Sequence, residues 1–152
     1  MMRLATIVDI PKIITILLDT YTEEELLGME ALLSLKSRDT FDFQTFISDE
    51  DDIVIFFERM GNFKCQFHLY SLREARGKRV KKFFYQCVDF LINNTLYSLF
   101  LTFIPLSNSP ASLAARYMGF TKIGRIDSAG GDGVEEDLYM ITKEQYLMKR
   151  GK

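Results

Sequence analysis

No tryptophan occurs in this chain of 152 residues, histidine occurs once, cysteine twice and proline three times. With a single His and no Cys-x-x-Cys pair, the ligand set of a structural zinc site is missing. Cys65 and Cys87 fall on the apolar faces of a strand and a helix, so they read as reduced core residues rather than a disulfide or metal pair. The N-terminal apolar run is short and is broken by Asp9 and Pro11. Neither a secretory signal nor a membrane span is therefore expected. Positive charge is not in excess either: the net charge of −2 argues against nucleic acid or an anionic membrane as partner. The glycine-rich Ser128-Ala-Gly-Gly-Asp-Gly133 has no Lys-Ser/Thr after it, so it reads as a hairpin tip and not as a Walker-type phosphate loop. Internal repeats, low-complexity tracts and linkers are absent, and residues 1–152 read as one domain.

What the chain has is apolar and aromatic: 47% of residues are hydrophobic, with thirteen Phe and seven Tyr. That suits a soluble globular domain large enough to fold without staples. Its organising stretch is Phe63–Leu91. Phe63, Cys65, Phe67 and Leu69 alternate with Gln66, His68 and Tyr70, as in a strand. A polar turn, Arg73-Glu-Ala-Arg-Gly-Lys-Arg79, follows. From Val80 onward Phe83, Phe84, Cys87, Val88 and Leu91 recur at helical spacing. A strand that turns through a basic, glycine-containing loop into a helix suits an anion, because the first-turn amides lack intrahelical partners and the helix dipole favours negative charge there. Arg76, Lys78, Arg79, Lys81 and Lys82 add side-chain charge, although a solvated basic face would look the same.

Before that stretch, Met2–Val8 reads as a first strand, and Asp9 and Pro11 as the opening of a helix whose face is Ile10, Ile13, Ile14, Leu17, Leu18 and Tyr21. Thr22-x-x-Glu25 is a capping box for a second helix carrying Leu26, Leu27, Met29, Leu32 and Leu33. Phe41–Phe46 and Ile53–Met60 read as strands joined across the acidic Ser48–Asp52, either a solvated hairpin turn or a surface attracting a cationic amine. Gly61-Asn62 turns into the central strand. Downstream, Tyr97–Ile104 suits a strand buried on both faces. A helix capped at Asn108 or Ser109 then runs to Gly119, strands follow at Phe120–Asp127 and Glu135–Thr142, and Thr142 caps a final helix.

Arg76-Gly77-Lys78 after a strand, with Ile104-Pro105-x-x-Asn108 and Met118-Gly119-Phe120 downstream, resembles the GNAT superfamily of acyl-CoA N-acyltransferases. Within it the chain is most similar to small GNAT-like proteins of tailed bacteriophages. The resemblance implies an α/β (α+β) fold, a mixed and mostly antiparallel sheet of about seven strands with helices on both faces, in the order β-α-α-β-β-β-α-β-α-β-β. The family's pyrophosphate loop runs Gln/Arg-x-x-Gly-x-Gly/Ala; Arg76 matches its first residue, and Arg79 and Lys81 stand where it has glycine or alanine.

The activity implied is acetyl-CoA-dependent N-acetylation, an amine of unknown identity attacking the thioester directly. Acetyl-CoA, the cosubstrate, would be held by Ser71, Leu72, Arg76, Gly77, Lys78, Arg79, Val80, Lys81 and Asn108, with the Leu72 amide as oxyanion donor. Many family members take the leaving-group proton from a Tyr four residues before the Gly-Phe pair. Here that position is Ala115, and Tyr117 lies two residues on, roughly 200° around the helix. His68 is the candidate base, with Glu74 and Tyr70 behind it. The alternatives are a GNAT-fold phage protein without chemistry, acting as an assembly component or as a module that binds a host protein, and a homo-oligomer is compatible with each. The expected location is the cytoplasm, the host's if phage-encoded, with the virion as alternative.

Overall fold

A three-residue strand, β1 (Met2–Leu4), opens the chain where the sequence suggests a longer one. It stops early because Asp9 draws the backbone round. The Asp9 carboxylate accepts the Thr6 amide at 2.7 Å and both Arg3 guanidinium nitrogens at 2.8 Å, and Ile7–Asp9 closes as one 3-10 turn. Asp9 does stand at the start of α1 (Ile10–Leu18), with Pro11 in the first turn, but its carboxylate faces back along the chain instead of capping the helix. The computed structural model describes residues 1–19, 43–127 and 134–151. The second helix expected from Thr22, the strand start at Phe41, and the Ser128–Gly133 tip lie outside the described residues.

The chain divides into two units, Met1–Arg59 with Phe67–Asn94, and Met60–Gln66 with Thr95–Lys152. In the first, β1 pairs antiparallel with β2 (Phe43–Ser48), and β2 with β3 (Ile53–Arg59), in the register Phe46↔Ile55. The acidic run between them is a hairpin turn, as its composition suggests. Ser48 Oγ accepts the Asp52 and Ile53 amides at 3.1 Å and donates to Asp52 Oδ1 at 2.8 Å. Asp51 takes a positive φ of 57° in this turn, and its carboxylate lies between Arg3 and Lys12.

Side chains alternate across the strands, so Phe46 and Ile47 face opposite sides. Ile47, Val54 and Phe56 bury Ile13, Ile16 and Leu17 of α1, with Tyr70 and Leu72 against the same cluster. Ile16 is buried and Leu18 is 42% exposed, a rotation from the face read in the sequence, where apolar residues on most sides of the helix leave its phase undetermined. On the other side, α2 (Lys78–Asn94) sets Phe84 against Phe67 at 5.3 Å and Phe90 against Phe46 at 5.4 Å. Helices therefore cover both faces. α2 begins two residues before Val80, since its first turn is charged and carries no apolar periodicity to mark it. Tyr85, absent from the expected face, is buried with Phe83, Phe84, Cys87, Val88 and Leu91.

In the second unit the start of β4 (Lys64–Ser71) pairs parallel with β5 (Leu99–Pro105), at Lys64↔Leu99 and Cys65↔Phe100. β5 pairs antiparallel with β7 (Glu136–Thr142) along its whole length. Phe100, Thr102 and Ile104 of β5 are buried while the alternate residues are half-buried, so its two faces differ more than the apolar run implied. α3 (Ser109–Met118) stops at Gly119, whose φ of 102° is left-handed. β6 (Thr121–Ile126) pairs with β7 through a register shift between Lys122 and Gly124. α4 (Lys143–Arg150) opens on a reciprocal cap: Thr142 Oγ1 accepts the Gln145 amide at 3.1 Å, and Gln145 Oε1 accepts the Thr142 amide at 3.0 Å. The strands follow the order β1-β2-β3-β4-β5-β7-β6 in one mixed, mostly antiparallel sheet.

Candidate functional site

β4 ends at Ser71, and the next residues make a tight connection to α2. Arg73–Ala75 is a single 3-10 turn pinned by Ala75, which is fully buried, with the Ala75 amide on the Leu72 carbonyl at 3.1 Å. Gly77 follows with φ of 93°, a region that a side chain disfavours. No heavy atom lies within 4 Å of where a Cβ would sit, so Gly77 is required by its backbone and not by crowding. The Lys81 amide closes the first helical bond on the Gly77 carbonyl at 3.2 Å. Glycine has no side chain with which to cap the turn, and the amides ahead of Lys81 precede the hydrogen-bonding range of the helix. Arg76, Lys78, Arg79 and Lys82 around them are exposed, and Val80 and Lys81 half-buried.

The basic side chains do not act as one patch. Arg76 approaches Asp19 at 3.6 Å. Arg79 is turned onto the acidic hairpin, 2.7 Å from Asp52 and 3.2 Å from Glu50. Lys81 lies 5.5 Å from the Tyr85 ring centre, in cation–π range. The sequence reading missed these carboxylate partners. Two runs of opposite charge, 48–52 and 76–82, were the available signal. A cleft of about 220 Å³ beside Arg79, walled by Glu50, Ile53, Lys82, Phe83 and Gln86, is smaller than the usual range for ligand pockets.

The Leu72 amide, expected to face a developing oxyanion, donates to the Asp52 carbonyl at 2.9 Å. This donor is spent on the hairpin. His68 is half-buried on β4, and burial lowers its pKa, so the ring is neutral at pH 7. Tyr70, two residues on and hence on the same face, packs edge-on to Phe56 with ring centres 6.0 Å apart. Glu74 is exposed in the 3-10 turn. Ser71, Leu72 and Arg76–Lys81 thus lie within one segment, interrupted by the Arg73–Ala75 turn, with His68 upstream of it.

Asn108 and Tyr117 belong to the second unit. Asn108 caps α3, its Oδ1 accepting the Ala111 amide at 3.2 Å. Tyr117 is 60% exposed near the end of that helix, whereas Ala115 is buried in the core. Cys65 and Cys87 are buried free thiols, and burial raises the Cys87 pKa. Among the described residues no three His, Cys, Asp or Glu side chains gather as a metal site requires, and no helix is long and apolar enough to cross a membrane.

A family model described as a protein of unknown function (DUF2824) matches residues 51–150, from the acidic hairpin through the last helix. The chain belongs to that family. No curated protein matches the sequence. Solved structures do match, over nearly their whole length. The spermidine/spermine N-acetyltransferase SpeG from Vibrio cholerae superposes with a TM-score of 0.75 at 16% identity, covering 100% of this chain and 98% of that one. The ribosomal-protein-alanine N-acetyltransferase from Brucella melitensis gives 0.68 at 17% identity, covering 93% and 99%. At such identities the likeness concerns the fold, and the fold is the GNAT N-acetyltransferase fold.

Proposed function

We propose that residues 1–152 form a single acyltransferase domain that binds acetyl-CoA and transfers its acetyl group to an amine. The observation that carries this reading is the Leu72–Lys82 connection: a left-handed glycine leads into a helix start whose first amides precede the helical hydrogen bonds, with Arg76 and Lys78 exposed beside it. A pyrophosphate suits that arrangement, because helix-start amides and exposed cations favour the same anion. The turn would hold the diphosphate through the backbone of Gly77–Val80 and the side chains of Arg76 and Lys78. Ser71 and the end of β4 would lie along the pantetheine arm.

In the transfer, the amine nitrogen forms a bond to the thioester carbon, the carbon–sulfur bond breaks, and the ammonium proton passes to a base while the thiolate takes up a proton. His68, neutral at pH 7, is the proposed base. The GNAT fold supports the reading, and spermidine is a sensible first acceptor because a structural neighbour's name includes it.

Calorimetric titration with acetyl-CoA tests the proposal. Micromolar binding that weakens in Gly77→Asp and Arg76→Ala supports the anion turn, and silence at millimolar ligand rejects it. Release of free thiol in an amine screen then tests transfer, with His68→Asn expected to remove the acid limb of its pH profile. The spent Leu72 amide favours a second reading, a GNAT-fold protein that binds CoA or a protein partner without chemistry. Binding without thiol release would select it.

A further inference from the structure

We propose that Asp52 is the positioning residue of the anion turn, holding Arg79 away from the phosphate position and tying both ends of the turn to the acidic hairpin. The proposal rests on the acyl-CoA reading. Asp52 makes two kinds of link. Its main-chain carbonyl accepts the Leu72 amide at 2.9 Å, where the chain leaves β4. Its carboxylate accepts from Arg79 at 2.7 Å, where the chain enters α2. One residue thereby closes the segment between those points.

The carboxylate is itself held. Oδ1 takes the Ser48 hydroxyl at 2.8 Å, and Ser48 Oγ accepts the Asp52 and Ile53 amides, so the group cannot rotate without giving up hairpin bonds. It is only 14% exposed, whereas Arg79 is 46% exposed and Glu50 60%. Asp52 is therefore the fixed end of the pair, and the guanidinium comes to it.

An arginine in the first turn of a helix is ordinarily a strong phosphate ligand, since its planar fork matches the anion. Here Asp52 and Glu50 already occupy that fork. Anion recognition falls to the helix-start amides, Arg76 and Lys78, while Arg79 acts through its partner to set the direction of the turn. Without the Asp52 carboxylate the turn would lose its tie to the hairpin at the start of α2.

A thermodynamic cycle on the full chain tests this. Acetyl-CoA is titrated calorimetrically into wild type, Asp52→Asn, Arg79→Gln and the double variant at several salt concentrations, with thermal melts as a check of folding. Each single variant is expected to bind about fivefold more weakly, near the upper end for a partly exposed pair, and the double variant no worse than either. Asp52→Glu is expected to recover part of the loss. Arg79→Gln is expected to leave the salt dependence of binding unchanged, because a residue that does not touch the phosphate adds nothing to it. Additive losses with a flatter salt dependence in Arg79→Gln overturn the proposal, for Arg79 then touches the ligand. Four equal affinities, or tighter binding by Asp52→Asn, also overturn it while leaving the acyl-CoA reading standing. No binding by wild type removes that reading and the proposal with it. Arg79→Gln approaches the pair from its exposed side, so the cycle keeps an informative arm even if Asp52 variants fold poorly.

Discussion

Two arginines of the first unit meet aspartates of their own neighbourhood, and the two pairs serve different ends. Arg3 grips Asp9 with two bonds of 2.8 Å, and Asp9 is 1% exposed. Arg79 reaches Asp52 at 2.7 Å and Glu50 at 3.2 Å from a position open to water. The distances are alike and the surroundings are not. A carboxylate removed from solvent makes its partner indispensable, because an unpaired buried charge costs far more than the pair contributes. A pair at the surface is screened and cheap to break, so its usefulness lies in where it puts a side chain. Arg3 is thus a matter of folding, and Arg79 of placement.

The sharpest way to break this contrast is Arg3→Ala. It strands Asp9 and is expected to cost about 3 kcal/mol, the low end for a buried pair because Arg3 itself is 39% exposed. In a thermal melt that is a fall of about 10 °C. The loss should depend on pH with a known sign. Hydrogen bonds from Arg3 hold the Asp9 pKa well below the usual carboxylate range, against the opposing effect of burial. The associated stability is present above the ordinary carboxylate pKa and is lost as pH falls through the depressed one. The gap between wild type and Arg3→Ala should accordingly be narrower at about pH 3 than at pH 7, as acid unfolding at fixed temperature would show. Arg3→Lys keeps the charge and gives up the two-pronged contact, so about 1–2 kcal/mol is expected. Arg79→Gln should scarcely move the melting temperature. A loss there as large as that of Arg3→Ala would erase the distinction between the pairs.

Much of this architecture was legible in local sequence. The Asn108-Ser109 pair, of which Asn108 is the cap, Gly119 and the Thr142–Gln145 box marked helix ends because a cap is a contact between residues three or four apart. The turn at Ser48–Asp52 and the glycine before α2 were legible for the same reason. What escaped was set by residues distant in the chain. Nothing adjacent to Leu72 announces that its amide belongs to Asp52, and nothing near Arg79 announces that its side chain turns toward the hairpin. Asp9 has the place of a helix cap, and Arg3, six residues before it, takes the carboxylate instead. The rotation of α1 that buries Ile16 was fixed by Ile47, Val54 and Phe56, which lie far along the chain. For the candidate site, the loop was visible as composition, and its electrostatics needed the fold.

The register shift in β6 has a consequence for life in crowded solution. β6 is last in the sheet order, where an unpaired row of amides and carbonyls would offer a template to another chain. The shift between Lys122 and Gly124 interrupts the even spacing such a template needs. Lys122 and Arg125 are drawn to Asp137 on the neighbouring strand, which leaves basic side chains along the margin. Although Ile123 and Ile126 are exposed there, the border is bent and charged, a poor seed for aggregation.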